Sequence, residues 1–109
     1  MKIRVVLYRV GKPPAVEEID NQLPALQALV GGYIEVVWLR PGLALVCNEE
    51  GKLLGLRRNR YVPQIADYIA GDFFFAATKD AEFVSLKDEE VAEVCNEVLW
   101  RHLRVLRRQ

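Results

Sequence analysis

The stretch Tyr33–Gly55, YIEVVWLRPGLALVCNEEGKLLG, constrains the fold more than any other part of the chain. Tyr33 to Leu39 is rich in β-branched and aromatic residues, which suit a pleated surface. Pro41-Gly42 fits the two central positions of a type II turn, because proline presets φ and glycine accepts a positive one. Leu43 to Cys47 is then a continuous apolar run, the pattern of a central strand buried on both faces. Asn48-Glu49-Glu50-Gly51 is a second turn signal, from which Lys52-Leu53-Leu54 can return as a short antiparallel strand. A hairpin with so apolar a centre needs further strands and covering layers around it.

The flanks supply them. Ile3 to Val10 reads as a first strand, with Ile3, Val5 and Leu7 on one face and Arg4, Val6 and Tyr8 on the other. Gly11-Lys12-Pro13-Pro14 breaks it, and Ala15 to Ile19 is a short extended segment able to pair back. Asp20 or Asn21 is placed to cap a helix with Pro24 in its first turn and Gly31-Gly32 at its end. Leu23, Leu26, Leu29 and Val30 give that helix a narrow apolar stripe, and so short a helix must lie on a sheet. Leu56 to Val62 reads as an exposed loop, and Pro63 to Ile69 as a short helical turn. Phe73 to Ala77 is another buried strand, with Phe83-Val84 its brief partner.

Ser85 followed by Asp88 matches a capping box that opens a long last helix. Val91, Val94, Cys95, Val98, Leu99, His102, Leu103 and Leu106 define its apolar face. Asp88, Glu89 and Glu90 at its start and Arg104, Arg107 and Arg108 at its end match the helix macrodipole. The expectation is one α+β domain over residues 1–109. It is a mainly antiparallel sheet of about five or six strands, with one short helix and one long C-terminal helix packed on it.

Charge and cysteine usage narrow the class. Fifteen basic and fifteen acidic residues cancel, which removes the simplest case for a nucleic-acid or membrane-surface protein and leaves room only for a local patch. Cys47 and Cys95 lie far apart among apolar neighbours and read as reduced core thiols; a disulfide requires the hairpin and the last helix to abut. Met1-Lys2-Ile3-Arg4 precedes only six mostly apolar residues, too short and too charged for a signal peptide. No stretch approaches a membrane-spanning length, so a soluble, cytoplasmic chain without a membrane partner is expected.

The runs EIDNQLPALQALVGGYIEVV, ALVCNEEGKLLGLRRNR and IAGDFFF occur in that order between Val16 and Ala76. Together they resemble a family of small domains from bacteria, phages and plasmids, domain of unknown function 3846. The first strand and the last helix lie outside that likeness. The family has no agreed activity, cofactor or catalytic residue, so the resemblance carries none across. It implies a phage or mobile-element origin, and that the NEEGKL turn and the following Asn-Arg matter to the fold or to a partner.

No constellation for chemistry is visible, so catalytic residues, metal ligands and cofactors are all expected to be none. His102 is the only histidine, there is no Cys-x-x-Cys, and a metal needs three or four converging ligands. Cys95 precedes His102 by two helical turns, roughly 10 Å, too far for a hydrogen bond. A Cys47–His102 pair would need a tertiary coincidence, and this enzymatic reading ranks third. Glu49-Glu50 at the tip of a solvated turn read as structural and not as an acid–base pair. No Walker loop or G-x-G-x-x-G occurs, and Gly31-Gly32 sit at the wrong helix pole for anions.

The binding candidates are Arg57, Arg58, Asn59, Arg60 and Tyr61. Three arginines and a tyrosine in a loop suit phosphates with a stacked base, or acidic groups of a protein partner. They suit equally well internal ion pairs to Glu49, Glu50 or the start of the last helix. Trp100 falls at the margin of the last helix's apolar face; exposed, it would mark a homodimer or hetero-contact through that helix, and otherwise it completes the core. The leading expectation is a non-enzymatic module that binds a protein partner or itself. A weak nucleic-acid binder using Arg57, Arg58, Arg60 and Tyr61 is the alternative.

Overall fold

In a computed structural model the backbone is described for residues 1–101 and the side chains for residues 1–100. The longest apolar runs take the middle of one sheet. β1 (Lys2–Tyr8) pairs antiparallel with β7 (Phe73–Lys79), Val6 opposite Phe75 and Tyr8 opposite Phe73. β4 (Leu43–Asn48) flanks β7 on its other side, with Leu45 opposite Phe75. β3 (Ile34–Arg40) and β2 (Ala15–Asp20) close the two ends, giving the order β2-β1-β7-β4-β3. β8 (Glu82–Val84) folds back on the end of β7; Ala77 pairs with Leu43 and with Val84, so β8 lies on β1's side. Every pairing is antiparallel. The β3–β4 turn is the expected one, with Gly42 at φ 86°, the sign that a type II turn demands there.

Side-chain alternation then sorts two faces. Ile3, Val5, Leu7, Val46, Phe74 and Ala76 point to one side, where Leu26 and Val30 of α1 (Leu23–Val30) cover them. Val6, Tyr8, Leu45, Cys47, Phe73 and Phe75 point to the other. That face is covered by a separate ribbon, β5 (Arg58–Val62) with β6 (Asp67–Ala70), and by α2 (Asp88–Cys95) and α3 (Glu97–Arg101). Its centre is aromatic: Tyr8 stacks on Phe73 at 5.0 Å, and Phe75 lies 5.7 Å from Tyr8 and 5.4 Å from Trp100. The Tyr8 hydroxyl donates to the Val94 carbonyl at 2.5 Å and accepts from Trp100 Nε1 at 3.1 Å. Burial pushes this phenol up to about 12, so it stays a neutral donor.

Among the described residues the chain is α+β, with eight strands and three short α-helices. Five local expectations fail, each for an identifiable reason. Lys52-Leu53-Leu54 is not a strand: the chain runs as turns from residue 49 to 55, and the next strand, β5, pairs with β6 and not along β4. The expected loop over Leu56 to Val62 is strand from Arg58 onward; only Val62 of β5 is fully buried, so its polar sequence hid the strand. Pro63 to Ile69 is helical only as a 3-10 turn over Pro63–Ile65, after which Ala66 at φ 52° reverses the chain into β6. Asp20 ends β2 and the Asn21 amide donates to the Phe83 carbonyl, so Gln22 stands at the N-cap of α1 without a side-chain bond.

The fifth is the long C-terminal helix. It breaks at Asn96 (φ −100°, ψ 101°), whose Oδ1 accepts the Val98 N–H and offers the backbone an alternative to the helical ladder. Ser85 does not cap it either, since its Oγ accepts the Arg4 N–H; the Glu90 carboxylate instead accepts the Lys87 N–H at 2.7 Å. His102, Leu103, Leu106, Arg104, Arg107 and Arg108 lie outside the described residues.

Candidate functional site

The β5–β6 ribbon leaves the β3–β4 end of its face partly open. The result is a cleft of about 320 Å³ between β3–β4, the turns over residues 48–55, and the 3-10 turn with β6. Its buried residues are Cys47, Asn48, Gly51, Ile69 and Ala70. Val37 from β3 is half-buried in it. Leu53 (85 % exposed) and Ile65 (43 %) are the outer apolar residues. Glu35, Glu49 and Glu50 add carboxylates, and Lys52 pairs with Asp67. That pairing holds the Asp67 carboxyl below the usual range.

Two residues of the 48–55 segment fix the cleft wall. Asn48 is buried; its Nδ2 donates to the Val30 carbonyl at the end of α1, and its Oδ1 accepts the Glu50 N–H at 2.7 Å. One side chain thereby satisfies an orphan helix carbonyl and shapes the turn. Gly51 passes so close to β6 that a Cβ on it would sit 2.6 Å from the Ala70 carbonyl oxygen. The NEEG sequence is thus a structural clasp as well as a turn.

Cys47 lies at the buried end of the cleft, and both cysteines are free. Burial, aided by the Glu35 charge, pushes the Cys47 thiol up to about 12, and burial also raises Cys95. A thiol with no thiolate at neutral pH is a poor nucleophile. Native Cys47 should be alkylated by iodoacetamide at about pH 8 on the order of a thousandfold more slowly than an unburied thiol. Peptide mapping by mass spectrometry reads that rate, and labelling at the denatured-chain rate would contradict the described burial. Among the described residues no group of three or more His, Cys, Asp or Glu is arranged to hold a metal ion.

The sequence candidates do not form one surface. Asn59 is a structural clamp: its Nδ2 donates to the Tyr8 and Gly71 carbonyls, both at 2.9 Å. Arg60 pairs with Glu97 at 3.1 Å, donates to the Lys12 carbonyl, and lies over the Tyr8 ring at 5.3 Å. Arg58 lies over the Tyr68 ring at 4.0 Å, beside Lys52 over the same ring at 4.6 Å. Arg57 is exposed and borders a different groove, with Leu29, Leu56 and Asp72. Tyr61 is half-exposed opposite Tyr68 across the ribbon. Trp100 is 0 % exposed, so it completes the core and offers no partner surface.

Sequence reasoning missed Glu35, Val37, Leu53, Ile65 and Asp67 as neighbours. The one signal present is the pair Leu53-Leu54, which follows Gly51-Lys52 and reads as part of a strand.

The family model described as Domain of unknown function (DUF3846) matches residues 1–99, so the likeness takes in β1 and α2 as well as the expected middle. No curated protein and no solved structure matches the chain. Among the described residues no helix is long and apolar enough to cross a membrane.

Proposed function

We propose that this chain, which belongs to the DUF3846 family, is a non-enzymatic protein-interaction module whose partner docks on the β3–β4/β6 cleft. The observation that carries this is the rim. Leu53 is almost fully exposed and Ile65 nearly half, and both border a cleft that reaches the buried Cys47 and Ile69. Such side chains contribute little to folding where they stand, and covering them is what a protein interface does.

The nucleic-acid alternative draws less support. Arg60 is engaged by Glu97 and Arg58 by a tyrosine ring, and Asn59 is used by the backbone. The cleft itself carries Glu35, Glu49 and Glu50, which would repel phosphates. The test is affinity capture from source cells, comparing the wild-type chain with Leu53→Asp/Ile65→Asp of matched melting temperature. A protein retained by the first and lost with the second is the expected result. Identical captured sets for the two would refute a partner at this cleft.

A further inference from the structure

We infer that the partner segment taken by this cleft is a short basic one, an apolar residue flanked by lysine or arginine. The inference rests on the protein-partner reading above and goes on to specify the partner's chemistry.

The electrostatics of the lining supports it. Four carboxylates border the cleft, Glu35, Glu49, Glu50 and Asp67, against one cation, Lys52. Lys52 is already neutralised by Asp67. Among the described residues, none of the five ion pairs involves Glu35, Glu49 or Glu50. The chain as a whole is neutral, so this acidity is local and not a background property. Glu35 stands opposite Cys47 across the β3–β4 ladder, and both line the cleft.

The same cavity offers Val37, Cys47 and Ile69 as an apolar bed, with Leu53 and Ile65 at its mouth. An apolar side chain seated there places flanking cations within reach of three uncompensated carboxylates. Each interaction then reinforces the other: burial lowers the local dielectric, and charge fixes the register. An acidic or phosphorylated segment would meet the like charge of Glu35, Glu49 and Glu50.

The experiment is fluorescence polarisation with the 109-residue chain and two labelled synthetic peptides. One alternates leucine with arginine; its twin carries glutamate in place of arginine. The basic peptide should bind, and the acidic twin should bind about tenfold or more weakly. Glu49→Lys/Glu50→Lys, both exposed turn residues, should weaken the basic peptide about tenfold, as should raising salt from about 0.1 to 0.5 M. Equal binding of the twins, no binding of either, or indifference to the charge reversal overturns the inference.

If the Leu53/Ile65 capture difference survives such a failure, the partner reading stands and only its basic chemistry falls. Two other occupants are separable. A sedimentation mass of two chains that reverts to one in Glu49→Lys/Glu50→Lys would make the occupant a second copy. Peptide binding seen only with Arg104→Glu/Arg107→Glu/Arg108→Glu would make it the chain's own basic end. Either result replaces the partner protein and refutes the proposal.

Discussion

Phe75→Ala should lower the unfolding free energy by about 3–5 kcal/mol, read from urea denaturation of purified chain. Phe75 is wholly buried in the central strand β7, with β1 on one side and β4 on the other. Its ring meets Tyr8, Phe73 and Trp100 at centroid distances of 5.7, 5.8 and 5.4 Å. Hydrogen-bonded neighbours on both sides of β7 prevent the backbone from collapsing into the space left, so transfer and cavity effects add. Phe75→Leu keeps most of the volume and should lose about 1.5 kcal/mol or less. A loss below that figure for alanine would mean that the aromatic cluster is not packed as described.

Gly51→Val should be the next largest effect, about 2–3 kcal/mol, for the opposite reason. A Cβ at Gly51 would lie 2.6 Å from the Ala70 carbonyl oxygen and 3.3 Å from the Ala70 Cβ. The obstacle is backbone of β6, which cannot rotate aside as a side chain would. Relief requires the 48–55 turns to lift away from β6, which opens the cleft wall and should also abolish peptide binding there. Glu50→Ala, one residue away but exposed, should change stability by no more than about 0.5 kcal/mol. Differential scanning calorimetry of the three chains decides it: wild-type stability in Gly51→Val would show that turn and ribbon are not in contact.

Much of the sheet was legible because its strands carry patterns that only a sheet satisfies. Leu43 to Cys47 and Phe73 to Ala77 read as buried strands and are buried throughout. The β1 alternation sorted Ile3, Val5 and Leu7 from Val6 and Tyr8, and the two cores are divided in that way. β5 was not legible, because RNRYV has one buried residue and settles its arginines on aromatic rings. The interruption of the last helix coincides with one asparagine turning its side chain onto the Val98 N–H, which periodicity does not register.

The binding candidates are a different case. Arg58, Asn59 and Arg60 read as polar residues in a loop, and in the fold their groups meet Tyr68, backbone carbonyls and Glu97. The cleft that remains is assembled from β3, β4, the 48–55 turns and β6, and no local pattern announces such a juxtaposition.

The Tyr8 hydroxyl joins the opening strand to residues 94 and 100, near the far end of the described chain. Arg4 likewise donates to the Leu86 carbonyl. During translation β1 can zip to β2 at once, but its other neighbour and its aromatic cap have yet to be synthesised. At ~5–20 residues per second, the roughly 80 residues between the end of β2 and Trp100 take about 4–16 s on the ribosome. So non-local an architecture folds late and in the slower millisecond-to-second range. The nascent N-terminal half, with one side of β1 bare, is therefore the species that a ribosome-associated holdase would be expected to meet.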